Sequence, residues 1–213
     1  MNRQELKAKA KQQIKGKIGV LFLVTLIIAL ISGVASSVAA FLPAGALAIS
    51  IVIVPAFTLS TVRVYLMVIK DIKPTVGDAF CGFDDFWGAF KVTFLVGLYT
   101  FFWSLLFIIP GIIKGYSYSM AIYILAENPG KSARECIRES MEMTDGHKME
   151  LFVLNLSFIG WALLGAFTFG IAYIWVLPYM NATIANAYQS LKPIVPEEPA
   201  DAVEAEVVAE VAE

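Results

Sequence analysis

Tyr116, Ser119 and Tyr123 fall at i, i+3 and i+7, a spacing that puts three hydroxyls on one face of a helix. Lys114 stands two residues before them. In apolar surroundings such a stripe faces other helices rather than lipid. It is either a polar path or pocket, or a set of interhelical hydrogen bonds, and the second reading requires less. Arg63 and His147 are weaker candidates. Arg63 lies about two turns from Lys70, close enough to the end of its apolar run to snorkel to water. A buried ligand or ion-pair role is the alternative. His147 is the sole histidine and sits beside Lys148. Glu142, Asp145 and Glu150 are near it in sequence but follow no metal-ligand spacing. The chain has no nucleotide loop, zinc motif or serine–histidine pair. The expectation is no catalytic residue, no cofactor and no metal. Asp84 and Asp85 are adjacent, point to different helix faces, and read as a solvated pair. Cys81 and Cys136 lie in separate polar segments and read as free thiols.

The elements that would carry these residues are apolar. Hydrophobic residues make up 58% of the 213 and charged ones 16%, against about 45–50% and about 25% in soluble domains. The excess collects in runs at Ile18–Leu42, Ala44–Ile69, Val92–Ile109, Ile112–Ala126, Leu151–Phe169 and Ile171–Leu191. A bilayer span takes about 20 mostly apolar residues, so most runs suffice and Ile112–Ala126 is short. The expected fold is all-α, a polytopic membrane bundle of about six transmembrane helices in three hairpins, with cytoplasmic amphipathic helices. Short, almost uncharged turns at Leu42–Gly45, Pro110-Gly111 and Thr168–Gly170 would face outward. At Pro110-Gly111 a re-entrant dip is the alternative, and Lys114, able to reach the outer headgroups from a turn, favours the turn. Pro55 and Pro178 should kink or loosen their helices. The first run is about 25 residues, longer than the 7–15 of a signal peptide, though Ser36–Ala40 offers small residues for cleavage.

Two charged loops, 70–91 and 127–150, join the hairpins on the inner side. In the second, Ser132 and Glu135 match a capping box, and Ala133, Cys136, Ile137, Ser140, Met141 and Thr144 form the docking face of the helix it starts. Residues 1–17 carry Arg3, Lys7, Lys9, Lys11, Lys15 and Lys17 around a face of Leu6, Ala10 and Ile14. This basic amphipathic segment suits anionic headgroups, or serves as a topology signal. Residues 192–213 form an acidic tail, expected to be disordered, with Glu197, Glu198, Asp201, Glu204, Glu206, Glu210 and Glu213. The positive-inside rule places both termini in the cytoplasm. The net charge of −2 hides this segregation, and no nucleic-acid partner is expected.

The stretches FCGFDDF, FWSLLFIIPGIIKGYSYSMAIYILAENPGKS, GHKMELFVLNLSFIGWALL and GIAYIWVLPY, with the opening LKAKAKQQIKGK, resemble the bacterial membrane proteins of domain-of-unknown-function family 975. Cys136 and Ala121 depart mildly from that pattern. The resemblance implies an integral protein of the bacterial cytoplasmic membrane with no established activity and no assigned catalytic residues. A non-enzymatic accessory, scaffold or regulatory protein of the cell envelope is the leading expectation, with a membrane protein partner or a homo-oligomer. A small transporter or channel lined by the fourth span comes second. A lipid-acting membrane enzyme, drawing on Asp84, Asp85, Glu127 and His147, comes third.

Overall fold

A computed structural model describes residues 3–41, 43–168, 170 and 172–192. The tail from residue 193, together with Leu42 and Phe169 of the expected turns, lies outside the described residues, as do the side chains of residues 32–52, which include Ser36–Ala40. Among the described residues the fold is all helical, with no strand. The helices are α1 (Arg3–Gln13), α2 (Ile18–Phe41), α3 (Pro43–Ile69), a 3-10 helix (Val76–Phe83), α4 (Phe86–Leu106), α5 (Ile108–Tyr118), α6 (Ala121–Glu127), α7 (Ala133–Met143), α8 (Lys148–Leu156), α9 (Ile159–Phe167) and α10 (Tyr173–Leu191). Among the described residues two stretches are long and apolar enough to cross a membrane, Phe86–Leu105 and Lys148–Gly165. A third arises if Arg3–Gln13 and Ile18–Ile31, bent by 94° at their break, count as one span. The segment Ile53–Ile69 is a shorter apolar helix. Among the described residues this is fewer crossings than the six apolar runs suggest; the fourth run is divided between α5 and α6.

One end of the bundle is a polar head. α1 packs against α10 and α3, and its Leu6 and Ala10, with Ile14 just past its end, are buried. Gln13 ties the three helices together: its Nε2 donates to the Ile69 carbonyl at 3.1 Å and its Oε1 accepts from Asn186 Nδ2 at 2.6 Å. Lys17 pairs with Asp71 at 2.7 Å, just past the end of α3. The apolar face of α1 is therefore spent on protein, while Lys9, Lys11 and Lys15 stay exposed.

The first charged loop folds back along α3. Arg63 Nη1 donates to the Cys81 carbonyl at 2.6 Å, and Ser60 Oγ accepts from Gly82 N–H at 2.8 Å. Phe57 sits edge-on to Phe83 at 5.4 Å and 6.0 Å from Phe80. Gly82 is required here. A Cβ would be driven into the Ala56 carbonyl oxygen and would come within 2.7 Å of Ser60 N, both rigid helix backbone. Gly82→Ala should therefore lift the 3-10 helix from α3 and destabilise the fold by about 1–3 kcal/mol, the usual cost of overpacking. Thermal unfolding in detergent, with faster exchange of the Gly82 amide, reads the effect; a wild-type melting curve would refute the close approach.

The α4–α5 hairpin turns at Phe107, which adopts an extended conformation (φ −157°, ψ 139°), three residues before the expected break. Pro110 is the third residue of α5, where its missing N–H has no intrahelical acceptor to forgo. Gly111 meets Ser104 and Gly115 meets Thr100, so the two helices run antiparallel. α7 matches its expected face, with Ala133, Cys136, Ile137, Ser140 and Thr144 buried. Its capping box is present, with Ser132 Oγ accepting from Glu135 N–H at 3.3 Å and Glu135 Oε2 accepting from Ser132 N–H at 3.2 Å. The helix ends at Met143, and Gly146, at φ +76°, turns the chain.

Candidate functional site

The densest set of polar contacts in the head surrounds Glu127, the last residue of α6. Asn128 caps that helix, and Gly130, at φ +87°, reverses the chain. The Glu127 side chain is 8% exposed. Its oxygens accept from Lys70 Nζ at 2.9 Å, Tyr188 Oη at 2.8 Å and Gln189 Nε2 at 3.0 Å, and they pair with Lys192 Nζ. One carboxylate thus joins the ends of α3, α6 and α10. Burial acts to raise its pKa. The hydrogen bonds from Lys192, Lys70 and Tyr188 together outweigh that and hold it at about 2. A carboxylate has about four acceptor positions, and four donors occupy these. Such a group fastens helices and is not poised to take up a proton.

The fourth-span candidates are distributed rather than gathered. The chain breaks between Tyr118 and Ala121, so Tyr116 and Tyr123 do not lie on one continuous helix. Lys114 Nζ lies 5.1 Å from the Trp103 ring centre, a cation–π contact inside the α4–α5 hairpin. Tyr116 is edge-on to Phe152 at 5.8 Å. Ser119 Oγ donates to the Tyr116 carbonyl at 2.8 Å. Tyr123 is buried, with its ring 5.3 Å from that of Tyr188, and so adjoins the Glu127 cluster. Arg63 holds the first loop, as described above. His147 Nδ1 lies 3.0 Å from Glu150 Oε2 at the start of α8. Asp85 caps α4, its Oδ1 accepting from Gly88 N–H at 3.1 Å and its Oδ2 from Gly130 N–H at 3.4 Å, so it links the two charged loops.

A family model described as "Protein of unknown function (DUF975)" matches residues 1–114 and 105–194. The chain belongs to this family. No curated protein matches it. No solved structure matches it.

In this DUF975 chain the residue that sequence reasoning undervalued is Glu127, taken only as one acid on the inner face. A signal was present: Lys70 and Lys192 directly follow α3 and α10, while α6 between them ends in Glu127. Three apolar helices that close on complementary charges invite a shared ion pair. Cys136 is free and buried, and burial pushes its thiol up to about 11, which makes it a packing residue rather than a nucleophile.

Proposed function

We propose that this protein is a multi-pass protein of the bacterial cytoplasmic membrane that acts as a non-enzymatic accessory or scaffold of the cell envelope. In this reading the six apolar runs cross in three hairpins, and both termini lie in the cytoplasm with the polar head. The observation that carries the reading is the polarity of the bundle. At one end, Glu127, Arg63, Asp85, Ser140 and Gln13 hold the chain's own elements together. Away from it, large apolar side chains stand exposed: Phe107 at 70%, Ile109 at 72% and Phe167 at 82%, with Phe101, Leu105 and Trp161 beside them in the same hairpins. Apolar surface of that extent is covered by lipid or by partner helices. A head made rigid by internal bonds and carried on apolar hairpins suits a docking platform better than a reaction centre.

Topology is tested with single cysteines in a chain lacking Cys81 and Cys136. A membrane-impermeant maleimide applied to intact cells should label Ile109→Cys at the α4–α5 turn and leave Lys73→Cys unlabelled until the cells are opened. The opposite pattern, or release of the protein by alkaline carbonate, would sink the reading. The scaffold role predicts that a specific membrane protein copurifies from native membranes and is lost when exposed head residues are changed.

A further inference from the structure

We infer that the seam between α2 and α10 holds one acyl chain of a membrane glycerolipid, with a neutral carbonyl at its ester end accepting a hydrogen bond from Tyr65. The inference rests on the membrane reading above. Tyr65 comes from α3 and is 3% exposed. Its hydroxyl is the one buried side-chain polar atom among the described residues with no hydrogen-bond partner. Thr25 and Asn181 approach that hydroxyl, but neither makes a hydrogen bond of ordinary geometry with it, so the site is open to an acceptor from outside the chain. Tyr65 lines a cavity of about 50 Å³ together with Thr25, Thr61 and Asn181. The two threonine hydroxyls donate within their own helices, Thr25 to the Leu21 carbonyl at 2.8 Å and Thr61 to the Phe57 carbonyl at 2.7 Å. No charged residue lines the cavity, so it suits a neutral acceptor and is too small for a headgroup.

Thr25 also borders a second, larger space of about 250 Å³, a trough between α2 and α10. Phe22, Leu26 and Ala29 form one wall, and Tyr173, Leu177 and Pro178 form the other. Leu26 and Ala29 are exposed, so the trough opens on the outer surface of the bundle. Its direction matches a lipid. α2 leaves the polar head at Lys17 and α10 returns to it at Lys192, so Asn181 lies toward the head and Tyr173 away from it. Polar cavity first and apolar trough beyond is the order of an ester and its chain entering from the inner leaflet. A water alone would satisfy Tyr65 and leave the trough without an occupant.

The test uses the full chain in vesicles of phosphatidylethanolamine and phosphatidylglycerol, the latter carrying a photoactivatable diazirine in mid-chain. Adducts are mapped by peptide mass spectrometry. They should be enriched on residues 22–29 and 173–178 over the equally apolar Leu105–Ile109 turn. Tyr65→Phe should lower that enrichment by ~five-fold, the factor of one ordinary hydrogen bond. Ala29→Trp, which fills the trough from its open rim, should lower it at least as much. Even labelling of all apolar helices overturns the inference. So does Tyr65→Phe with unchanged labelling and an equal or higher melting temperature, the result expected of a water or an empty cavity. Release by alkaline carbonate would instead defeat the membrane reading itself, so the two failures are distinguishable.

Discussion

Replacing Glu127 with Gln is expected to destabilise the folded chain by about 2–3 kcal/mol at pH 7 and by almost nothing at pH 2. The folded carboxyl titrates at about 2, whereas an unperturbed glutamate titrates near about 4.3. A folded-state pKa below the unfolded value stabilises the fold where the group is ionised in both states. The contribution is therefore complete above about pH 5 and is lost as pH falls toward 2. A pKa difference of that size corresponds to about 3 kcal/mol. Lys70 and Lys192 are 53% and 40% exposed, so water screens part of their attraction and the lower end of the range applies. The glutamine side chain keeps the shape and some hydrogen bonds but loses the charge that balances both lysines. Chemical unfolding of wild type and Glu127→Gln in detergent, repeated from pH 7 to pH 2, should give two stability curves that converge in acid. Parallel curves would mean that the carboxylate contributes no charge-dependent stability. Lys70→Met and Lys192→Met should each cost less, because each removes one partly hydrated donor and leaves the others in place.

The cluster also shows where sequence reasoning stops. Local chemistry was legible: the Ser132–Glu135 capping box, the buried face of α7 and the Leu6/Ala10/Ile14 stripe of α1 all follow from spacing within one turn or two. Partners far apart in sequence were not. Glu127 meets Tyr188 and Gln189 across 61 and 62 positions, and no periodicity encodes that. The Pro110-Gly111 signal was real but displaced. Proline is tolerated in the first turn of a helix, so the chain reverses at Phe107 and uses Gly111 for close approach to Ser104. For α1, amphipathicity revealed an apolar face but not its partner; protein covers that face, and Lys9, Lys11 and Lys15 stay exposed. The break in the fourth run carried no local mark at all. Ser119-Met120 has neither glycine nor proline, and besides Ser119 Oγ on the Tyr116 carbonyl the side chain that pairs the freed backbone comes from another helix.

That dependence makes Ser140→Ala the second large effect, a loss of about 2–4 kcal/mol. Ending α5 at Tyr118 and restarting at Ala121 frees backbone groups in a buried position. Ser140 Oγ, fully buried on α7, donates to the Ser117 carbonyl at 2.7 Å and accepts from the Met120 N–H at 3.1 Å. One hydroxyl therefore serves both sides of the break, and alanine leaves a buried donor and a buried acceptor unpaired, at about 1–3 kcal/mol each. Thr144 softens the loss on one side only, since its Oγ1 lies 3.3 Å from the Ser117 carbonyl and 2.7 Å from the Ser140 carbonyl. Thr144→Val should consequently cost less than Ser140→Ala. Hydrogen exchange supplies the readout that melting alone does not: in Ser140→Ala, protection should fall first at Met120–Ile124, at the start of α6. Equal melting temperatures with unchanged exchange there would show that the break is held by packing alone. If exchange does rise, α7 sets the join between the α4–α5 hairpin and α6, and through α6 the position of Glu127. The polar head and the apolar hairpin would then be coupled through one serine.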